Sequence, residues 1–313
     1  MSKIVFISEL ASNEQQTWLA MLRAQLSNED IFLPSELTDE AAKAVDIAIV
    51  ANPDPAVVAR FPNLVWIQSL WAGVERLLSA DLSPNIKLVR LIDPTLAQSM
   101  AESVLTWTLY LQRNLPHYHL QQRQNQWRQL PNINSKNIRV SVLGAGELGL
   151  ASLSLLGKLD YQLSCWTRTL KNIDNVSCYS GEQGLSDMLA DTDILISLLP
   201  LTPSTQHLLN EDTLSQLPQG ANVINFSRGG IVDTNGLLAL LDIEHLSHAV
   251  LDVFDIEPLP QESELWQHPK ITVLPHISAP TNNDSAVLIV ADNIRHYRES
   301  GILPTVVDRK SGY

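Results

Sequence analysis

The chain has 313 residues, 45% of them hydrophobic, and a formal net charge of −13 at pH 7. That length exceeds one average domain and that composition can bury sizeable cores, so we expect two domains. The negative charge repels nucleic-acid phosphates and anionic lipid surfaces, which argues against nucleic-acid and membrane partners. The two cysteines, Cys165 and Cys178, have no metal-ligand or Cys-x-x-Cys spacing. Since the N-terminus also has no signal-peptide pattern, we expect a cytoplasmic protein without a metal site.

Apolar runs with the length of buried strands alternate with helical or turn-rich stretches through the first hundred residues. The runs lie at residues 3–7, 45–51, 64–68 and 87–91. Residues 100–114 then form a long helical pattern with an apolar face made by Val104, Leu105, Thr108 and Leu111. A second block of strands and helices begins at residues 138–142. The alternation predicts an α/β fold with two doubly wound parallel-sheet domains, joined by the long helix.

The second block opens with a glycine-rich turn. A strand over residues 138–143 runs into Gly144-Ala-Gly-Glu-Leu-Gly149, and a helix-forming stretch follows. Gly144 permits a tight turn, Gly146 allows the backbone to approach a pyrophosphate, and Gly149 allows close packing of helix on strand. The helix N-terminus directs amide hydrogens and partial positive charge at the phosphates. This context predicts a Rossmann dinucleotide site with contacts from Gly144, Gly146, Glu147, Leu148 and Gly149.

The residues after the next strand indicate which dinucleotide is preferred. An NAD site usually places Asp or Glu there, against the ribose hydroxyls. Here residues 162–166 are followed by Thr167, Arg168 and Thr169, with Lys171 close behind. An arginine between two hydroxyls can pair with a 2′-phosphate that a carboxylate would repel. We therefore expect NADP(H) as the preferred cofactor and NAD as the second choice; the structural alternative is a solvated arginine on an exposed turn.

Three short segments in the last third of the chain offer an arginine, a carboxylate and a histidine. They are Asn-Phe-Ser-Arg-Gly-Gly ending at Gly230, Asp-Val-Phe-Asp-Ile-Glu-Pro ending at Pro258, and Pro-His-Ile-Ser-Ala ending at Ala279. Taken alone, each polar residue has an ordinary explanation: a helix-end contact, a turn cap and a buried histidine. Together, and downstream of a dinucleotide turn, Arg228, Glu257 and His276 predict an acid–base set beside a redox cofactor.

The order of these motifs closely resembles the D-isomer-specific 2-hydroxyacid dehydrogenases. The resemblance rests on Leu-Gly-Ala-Gly-Glu-Leu-Gly, Leu-Leu-Pro-Leu-Thr-Pro-Ser-Thr and the three segments above, and it covers nearly the whole chain. Within the family, the Trp-Thr-Arg-Thr tip, the Leu-Trp-Ala-Gly-Val-Glu loop at 70–75 and Leu-Trp-Gln-His-Pro from Leu265 are similar to the bacterial glyoxylate/hydroxypyruvate reductases. The resemblance implies NADPH-dependent reduction of a small 2-oxo acid, glyoxylate to glycolate or hydroxypyruvate to D-glycerate.

The resemblance also implies roles in catalysis and substrate binding. His276 would be the general acid, and Glu257 would hydrogen-bond its other ring nitrogen. Arg228 would contact the carboxylate and the carbonyl oxygen of the substrate. The Ala72-Gly73-Val74 backbone would donate amide hydrogens to the substrate carboxylate. Trp71 either lines the substrate pocket, which we slightly favour, or anchors its loop in the core.

Further cofactor contacts are implied at strand ends of the second block. Leu199 and Pro200 would lie against the adenosine, and Ser227 and Asp252 near the nicotinamide. Thr205 would contact a phosphate. Asp252 and Thr205 each have a structural alternative, since Asp252 could cap the following turn and Thr205 could cap a helix.

A discontinuous domain arrangement is implied as well. Residues 1–99 and 279–313 would form the substrate domain, and residues 100–278 the NAD(P)-binding Rossmann domain, with a cleft between them. Closure of such a cleft excludes water before hydride transfer. A homodimer built around the inner domain is expected, with the Gln- and Arg-rich segment 121–128 around Trp127 as part of the contact.

Two other groups of functions stay open. A D-lactate, phosphoglycerate or formate dehydrogenase would share the fold, but formate dehydrogenases usually have Gln where Glu257 stands. A phosphorylated substrate would need more basic residues in the substrate loop than Arg76. A nucleotide-sensing corepressor of the C-terminal-binding-protein type would keep the same Arg, Glu and His, and would need a peptide-binding groove. Turnover of a small 2-oxo acid separates the enzymes from a purely binding protein.

Overall fold

The computed structural model describes residues 3–78, 80, 82–309 and 312. The chain divides into two compact units. One consists of the residues up to Thr95 together with those from Thr281 onward, and the other runs from Leu96 to Pro280. The corresponding boundaries expected from the sequence are 99/100 and 278/279.

In its described residues, the first unit contains a five-stranded parallel sheet. The strands are β1 (Lys3–Ser8), β2 (Ile31–Phe32), β3 (Val45–Ala51), β4 (Trp66–Ser69) and β5 (Lys87–Val89), in the spatial order β2-β1-β3-β4-β5. Strand β1 is covered on both faces, so Ile4, Val5 and Phe6 are all fully buried. Double coverage explains why its sequence is a continuous apolar run rather than an alternating one.

The second unit contains a seven-stranded parallel sheet in its described residues. Its strands are β6 (Arg139–Leu143), β7 (Gln162–Trp166), β8 (Val176–Tyr179), β9 (Ile194–Ser197), β10 (Ala221–Asn225), β11 (Leu246–Leu251) and β12 (Ile271–Val273). The spatial order is β12-β11-β10-β9-β6-β7-β8, so the direction of progression reverses between β6 and β9. That reversal is the switch point at which Rossmann folds bind ligands. The predicted fold class, two doubly wound parallel α/β domains, is confirmed.

The helices cover the faces of the two sheets. They are α1 (Ser12–Gln25), α2 (Asp39–Ala42), α3 (Pro55–Val58), α4 (Glu75–Leu78), α5 (Pro94–Gln112), α6 (Leu115–Arg123), α7 (Glu147–Gly157), α8 (Gly181–Leu189), α9 (Glu211–Leu214), α10 (Thr234–Asp242) and α11 (Asn283–Ser300). Helix α5 begins earlier than the predicted start at residue 100. The cause is local, because Pro94 suits the first helical position and the Asp93 carboxylate accepts the Thr95 amide at 2.8 Å.

The first unit is completed by the end of the chain. Helix α11 returns to it and packs with α1, with Val287, Val290 and Ile294 buried at helical spacing. Arg298 at the end of α11 forms ion pairs with Glu29, which precedes β2, and with Asp46 at the beginning of β3. No helix in the described ranges combines the length and the apolar character that crossing a membrane requires.

Candidate active site

The glycine-rich turn lies at the carboxyl end of β6, beside the switch point. Gly144 has φ of +95°, and a Cβ there would stand 2.9 Å from the carbonyl oxygen of Leu198. A Cβ on Gly149 would stand 1.9 Å from the Gly144 carbonyl oxygen, so helix α7 can lie this close to the turn only without a side chain. The predicted functions of Gly144 and Gly149 thus correspond to distinct geometric requirements.

Helix α7 presents an open N-terminus at this turn. Gly146 is its N-cap residue, and no side chain among the described residues caps the helix. Nothing lies within 4 Å of the position a Gly146 Cβ would take, so a side chain there would fill that space. Glu147 and Leu148 form the first turn. Uncapped amides at a helix start favour a phosphate, and the residues present therefore fit a dinucleotide.

Two contacts tie the glycine turn to the segment after β7. The Gly144 amide donates to the Trp166 carbonyl at 2.9 Å, and the Lys171 ammonium donates to the Ala145 carbonyl at 2.7 Å. Lys171, which follows Arg168 closely in the sequence, thus bridges back to the glycine turn and holds the two segments together.

The tip after β7 carries the residues expected at a 2′-phosphate. Arg168 and Thr169 are exposed, whereas Thr167 is buried. The Thr167 hydroxyl donates to the Thr169 carbonyl at 2.8 Å, and the Thr167 amide donates to the Tyr179 carbonyl at 3.0 Å. Thr167 therefore shapes the turn on which Arg168 and Thr169 are displayed.

The loop after β9 holds Leu199, Pro200 and Thr205. Leu199 is buried under the glycine turn, with its Cδ2 atom 3.3 Å from the position of a Gly144 Cβ. The Thr205 hydroxyl donates to the Pro200 carbonyl at 2.7 Å and accepts from the Thr202 amide at 2.8 Å. Thr205 thus stabilises its own loop. This role is similar to the helix cap that was considered as its structural alternative.

Glu257 and His276 are in direct contact. The Glu257 Oε2 atom lies 2.7 Å from His276 Nδ1, and Glu257 Oε1 accepts the Phe254 amide at 2.9 Å. One carboxylate therefore serves two donors, one on its own loop and one on the imidazole. In the described chain no protein atom hydrogen-bonds to His276 Nε2, and 53% of the side chain is exposed. The ring is held on one side and accessible on the other.

Asp252 holds the turn that carries the histidine. Its carboxylate accepts the amides of Ile277 and Ser278 at 2.7 and 2.9 Å, and its carbonyl accepts the His276 amide at 3.0 Å. His276 has φ of 54°, a conformation that is uncommon for a residue with a side chain. Three hydrogen bonds to one buried aspartate compensate for that strain. The turn cap that was the alternative for Asp252 is present.

Arg228 lies on a tight turn after β10. The Asn225 side chain accepts from the Ser227 amide and hydroxyl at 3.2 and 2.7 Å, and it donates to the Arg228 carbonyl at 3.0 Å. Ser227 also shares a 2.7 Å hydrogen bond with Ser197 at the end of β9. A Cβ on Gly229 would stand 2.0 Å from the carbonyl carbon of Phe254, so the turn lies directly against the loop that leads to Glu257.

Asn225 is a residue of the site that was not predicted from the sequence. It is fully enclosed at 1% exposure and organises the Arg228 turn through three hydrogen bonds. The available signal was its position, three residues before the arginine at a strand end. Asparagine there suits a turn, because its side chain pairs with backbone two or three residues on.

The expected substrate loop belongs to the first unit and follows β4. Trp71 packs edge-on against Trp18 at 6.0 Å between ring centroids. Its amide donates to the Ser69 hydroxyl at 3.0 Å, and its carbonyl accepts the Leu91 amide at 3.0 Å. This packing anchors the loop, which was the alternative considered for Trp71. Within the described ranges, no protein group accepts from the amides of Ala72, Gly73 and Val74. Three consecutive unpaired donors are suited to a carboxylate.

Comparison with known proteins identifies the relationship. Residues 105–278 match the family model described as the D-isomer specific 2-hydroxyacid dehydrogenase NAD-binding domain. A D-isomer specific 2-hydroxyacid dehydrogenase of Xanthobacter autotrophicus Py2, solved with NADPH and MES, is 34% identical with a TM-score of 0.92, over 100% of this chain and 99% of that chain.

Two further solved structures align over 100% of both chains. The NADPH-dependent glyoxylate/hydroxypyruvate reductase of Sinorhizobium meliloti, solved with NADP and sulfate, is 28% identical with a TM-score of 0.91. A probable 2-hydroxyacid dehydrogenase of Rhizobium etli CFN 42, solved with NADP, HEPES and tartaric acid, is 26% identical with a TM-score of 0.91. The predicted family and enzyme class are confirmed. The chain belongs to the D-isomer specific 2-hydroxyacid dehydrogenases, a family of NAD(P)-dependent oxidoreductases.

Proposed function

We propose that this enzyme reduces small 2-oxo acids with NADPH, converting glyoxylate to glycolate and hydroxypyruvate to D-glycerate. The observation that carries the proposal is the Glu257–His276 pair, a 2.7 Å contact that leaves the far ring nitrogen accessible. The NADPH-dependent glyoxylate/hydroxypyruvate reductase of Sinorhizobium meliloti, 28% identical over the full chain, supports the choice of substrates.

His276 is the proposed proton donor. The reaction adds a hydride to the carbonyl carbon and a proton to the carbonyl oxygen, and a bound reduced nicotinamide supplies the hydride. Glu257 accepts a hydrogen bond from Nδ1–H and so orients Nε2–H toward the substrate. Because His276 is half exposed, water can return a proton to the ring after each turnover.

Arg228 and the backbone amides of residues 72–74 are the proposed substrate ligands. A guanidinium provides a planar pair of donors that matches a carboxylate and stabilises negative charge on the carbonyl oxygen. The unpaired amides of Ala72, Gly73 and Val74 would provide further donors to the carboxylate. Such ligands identify the 2-oxo acid group without contacting its side chain.

The preference for NADPH is proposed from the tip after β7. Arg168 and Thr169 are exposed on the turn that Thr167 shapes, where an NAD-specific site would have a carboxylate. Gly144, Gly146, Gly149 and the start of α7 would hold the pyrophosphate. Residues at strand ends would complete the site, with Leu199 and Pro200 at the adenosine and Ser227 near the nicotinamide.

A steady-state substrate panel tests the proposal. Glyoxylate, hydroxypyruvate, pyruvate and phenylpyruvate are each assayed with NADPH and NADH, for the wild type and for His276→Ala. We expect the first two acids with NADPH to have the highest kcat/KM, and the variant to lose most of that rate. Preference for pyruvate would indicate a D-lactate dehydrogenase, and NADPH binding without turnover would indicate a nucleotide sensor.

We also propose that the enzyme is a homodimer that uses segment 121–128. Trp127 in this segment is 98% exposed, and Leu120 just before it is also exposed. Large apolar side chains displayed in this way are typical of protein interfaces. Sedimentation of the wild type and of Trp127→Glu tests the idea, because loss of the dimer is expected only for the variant.

A further inference from the structure

Two thiols face each other beside the proposed cofactor site. Cys165 on β7 and Cys178 on β8 are registered partners in the parallel ladder, and their Sγ atoms are 3.6 Å apart. Cys165 is fully buried, whereas Cys178 is half-buried on the edge strand of the sheet. They are the two cysteines of the sequence. A disulfide within one chain can therefore form only between Cys165 and Cys178.

We propose that Cys165 and Cys178 form a reversible dithiol–disulfide site, oxidised by hydrogen peroxide or small organic hydroperoxides, which weakens NADPH binding when the disulfide closes. Oxidation at this site is a property beyond the proposed reductase activity. The effect on NADPH rests on the proposed function, whereas the disulfide itself does not.

The backbone spacing permits the bond. Neighbouring strands lie about 4.8 Å apart, and disulfides usually join Cα atoms that are roughly 4.4–6.8 Å apart. Residues in register on adjacent parallel strands direct their side chains to the same face. Cys165 and Cys178 both pack against the same hydrophobic cluster, which includes Leu153 and Leu156 of α7. The sulfur atoms can therefore meet without breaking the ladder.

Exposure sets the order of the chemistry. Burial raises the pKa of the Cys165 thiol to about 12, and its contact with Cys178 acts in the same direction. Buried thiols are poor nucleophiles, so the half-buried Cys178 reacts first. Its sulfur attacks one peroxide oxygen, the O–O bond breaks, and the sulfur becomes a sulfenic acid while water leaves.

The second step closes the disulfide. The Cys165 sulfur attacks the Cys178 sulfur, the S–O bond breaks, and the departing hydroxide takes the Cys165 proton as water. In sum, two thiols and one hydrogen peroxide give one disulfide and two waters. A reducing dithiol such as dithiothreitol reverses the reaction by thiol–disulfide exchange.

The site is linked to the cofactor tip by short connections. Thr167 follows Cys165 by two residues, and its amide donates to Tyr179, the residue after Cys178. Lys171, which bridges to the glycine turn, lies close enough to Cys165 to lower the pKa of its thiol, opposing the effect of burial. Closing the bond would shorten the sulfur separation from 3.6 Å to about 2.05 Å and draw β7 and β8 together within their intact ladder, which would move the turn that carries Arg168.

Intact mass and direct NADPH titration test the proposal on the full-length protein. After treatment with stoichiometric hydrogen peroxide, we expect loss of the mass of two hydrogen atoms and a cross-linked peptide pair containing Cys165 and Cys178. Fluorescence titration is expected to show a rise of roughly 3- to 10-fold in the Kd for NADPH, because a displaced turn loses binding contacts. Dithiothreitol should restore both the mass and the Kd.

Two variants separate the steps. Cys165→Ser should retain a Cys178 sulfenic acid that dimedone traps, and Cys178→Ser should gain neither the adduct nor the disulfide. Both conserve side-chain size, and circular dichroism checks that they fold. Oxidation without an internal cross-link, a cross-link between chains, or an unchanged Kd in the cross-linked protein would overturn the proposal. If the reduced protein does not bind NADPH, the proposed cofactor is wrong, and the mass measurement still decides whether the disulfide forms.

Discussion

Replacing Glu257 by glutamine should leave either the Phe254 amide or the protonated His276 ring without its acceptor, whichever way the new amide turns. In the wild type Oε2 accepts from His276 Nδ1 and Oε1 accepts from the Phe254 amide. A glutamine oxygen can serve only one of these donors, and its NH2 group then faces the other. With the NH2 group toward the loop, donor meets donor at the Phe254 amide. With it toward the ring, the protonated form of His276 meets a donor at Nδ1, and only the neutral tautomer with Nδ1 as acceptor can pair with it.

The size of the effect follows from the geometry. Leaving one donor unsatisfied costs about 1–3 kcal/mol. Because 34% of the Glu257 side chain is exposed, water partly replaces the lost partner, and we take the lower half, about 1–2 kcal/mol. If that cost appears in the transition state, kcat/KM falls roughly 5- to 30-fold.

The assay is NADPH oxidation with glyoxylate or hydroxypyruvate, compared with Glu262→Gln as a matched control. Glu262 is an exposed carboxylate five positions further along the chain, so its substitution changes the charge equally. We expect the loss only for Glu257→Gln, with thermal stability similar in the two variants. If both variants keep wild-type kcat/KM, the carboxylate does not orient His276 during catalysis.

Three further outcomes are expected. Arg168→Ala should raise the KM for NADPH about tenfold and leave that for NADH unchanged, since a charge-assisted hydrogen bond contributes about 1.5 kcal/mol. Gly149→Ala should destabilise the protein by about 1–3 kcal/mol and weaken NADPH binding, because its Cβ would stand 1.9 Å from the Gly144 carbonyl oxygen. Burial, reinforced by neighbouring histidines, lowers the pKa of His248 from 6.5 to about 4. The unfolded chain therefore binds this proton first, and up to about 3 kcal/mol of stability should be lost as the pH falls from 6.5 to 4.

Each of these outcomes has an internal control. Lys158→Ala removes an exposed positive charge at the end of α7 and should not change cofactor preference; an equal shift for both variants would refute the phosphate role of Arg168. Gly157→Ala lies in the same helix, with its Cβ at an ordinary 3.7 Å from Leu163, and should be tolerated. If thermal unfolding of His248→Gln shows the same pH dependence as the wild type, His248 does not account for the acid lability.

Two features of the glycine turn could be predicted because their signal is local. The tight turn requires glycine at Gly144 and the close packing of helix on strand requires it at Gly149, and both lie within six consecutive residues. The approach of a pyrophosphate to Gly146 stays a prediction. The Asp252 and Thr205 contacts could be stated only as alternatives. An aspartate or threonine at a strand end suits both a ligand and a turn, and the hydrogen-bond partners that distinguish them are set by the fold.

Long-range pairs were outside the reach of sequence reasoning. Cys165 and Cys178 are separated by thirteen positions, and only the register of β7 on β8 places their sulfurs in contact. This pair has no local pattern that distinguishes it from ordinary core packing. Asn225 differs, because its partners Ser227 and Arg228 lie only two and three residues on and an asparagine at a strand end is itself a turn signal.

The sequence by itself determined the fold class, the family and the identity of the proposed catalytic residues. The fold class depends on apolar periodicity, and the family and the catalytic residues depend on the order of the motifs. Both signals can be read directly from the sequence. Only the tertiary structure decided that Glu257 contacts His276, that Asp252 supports the histidine turn and that Trp71 packs on Trp18. The physical reason is that hydrogen bonds and packing join atoms close in space, and distance along a chain does not specify distance in space.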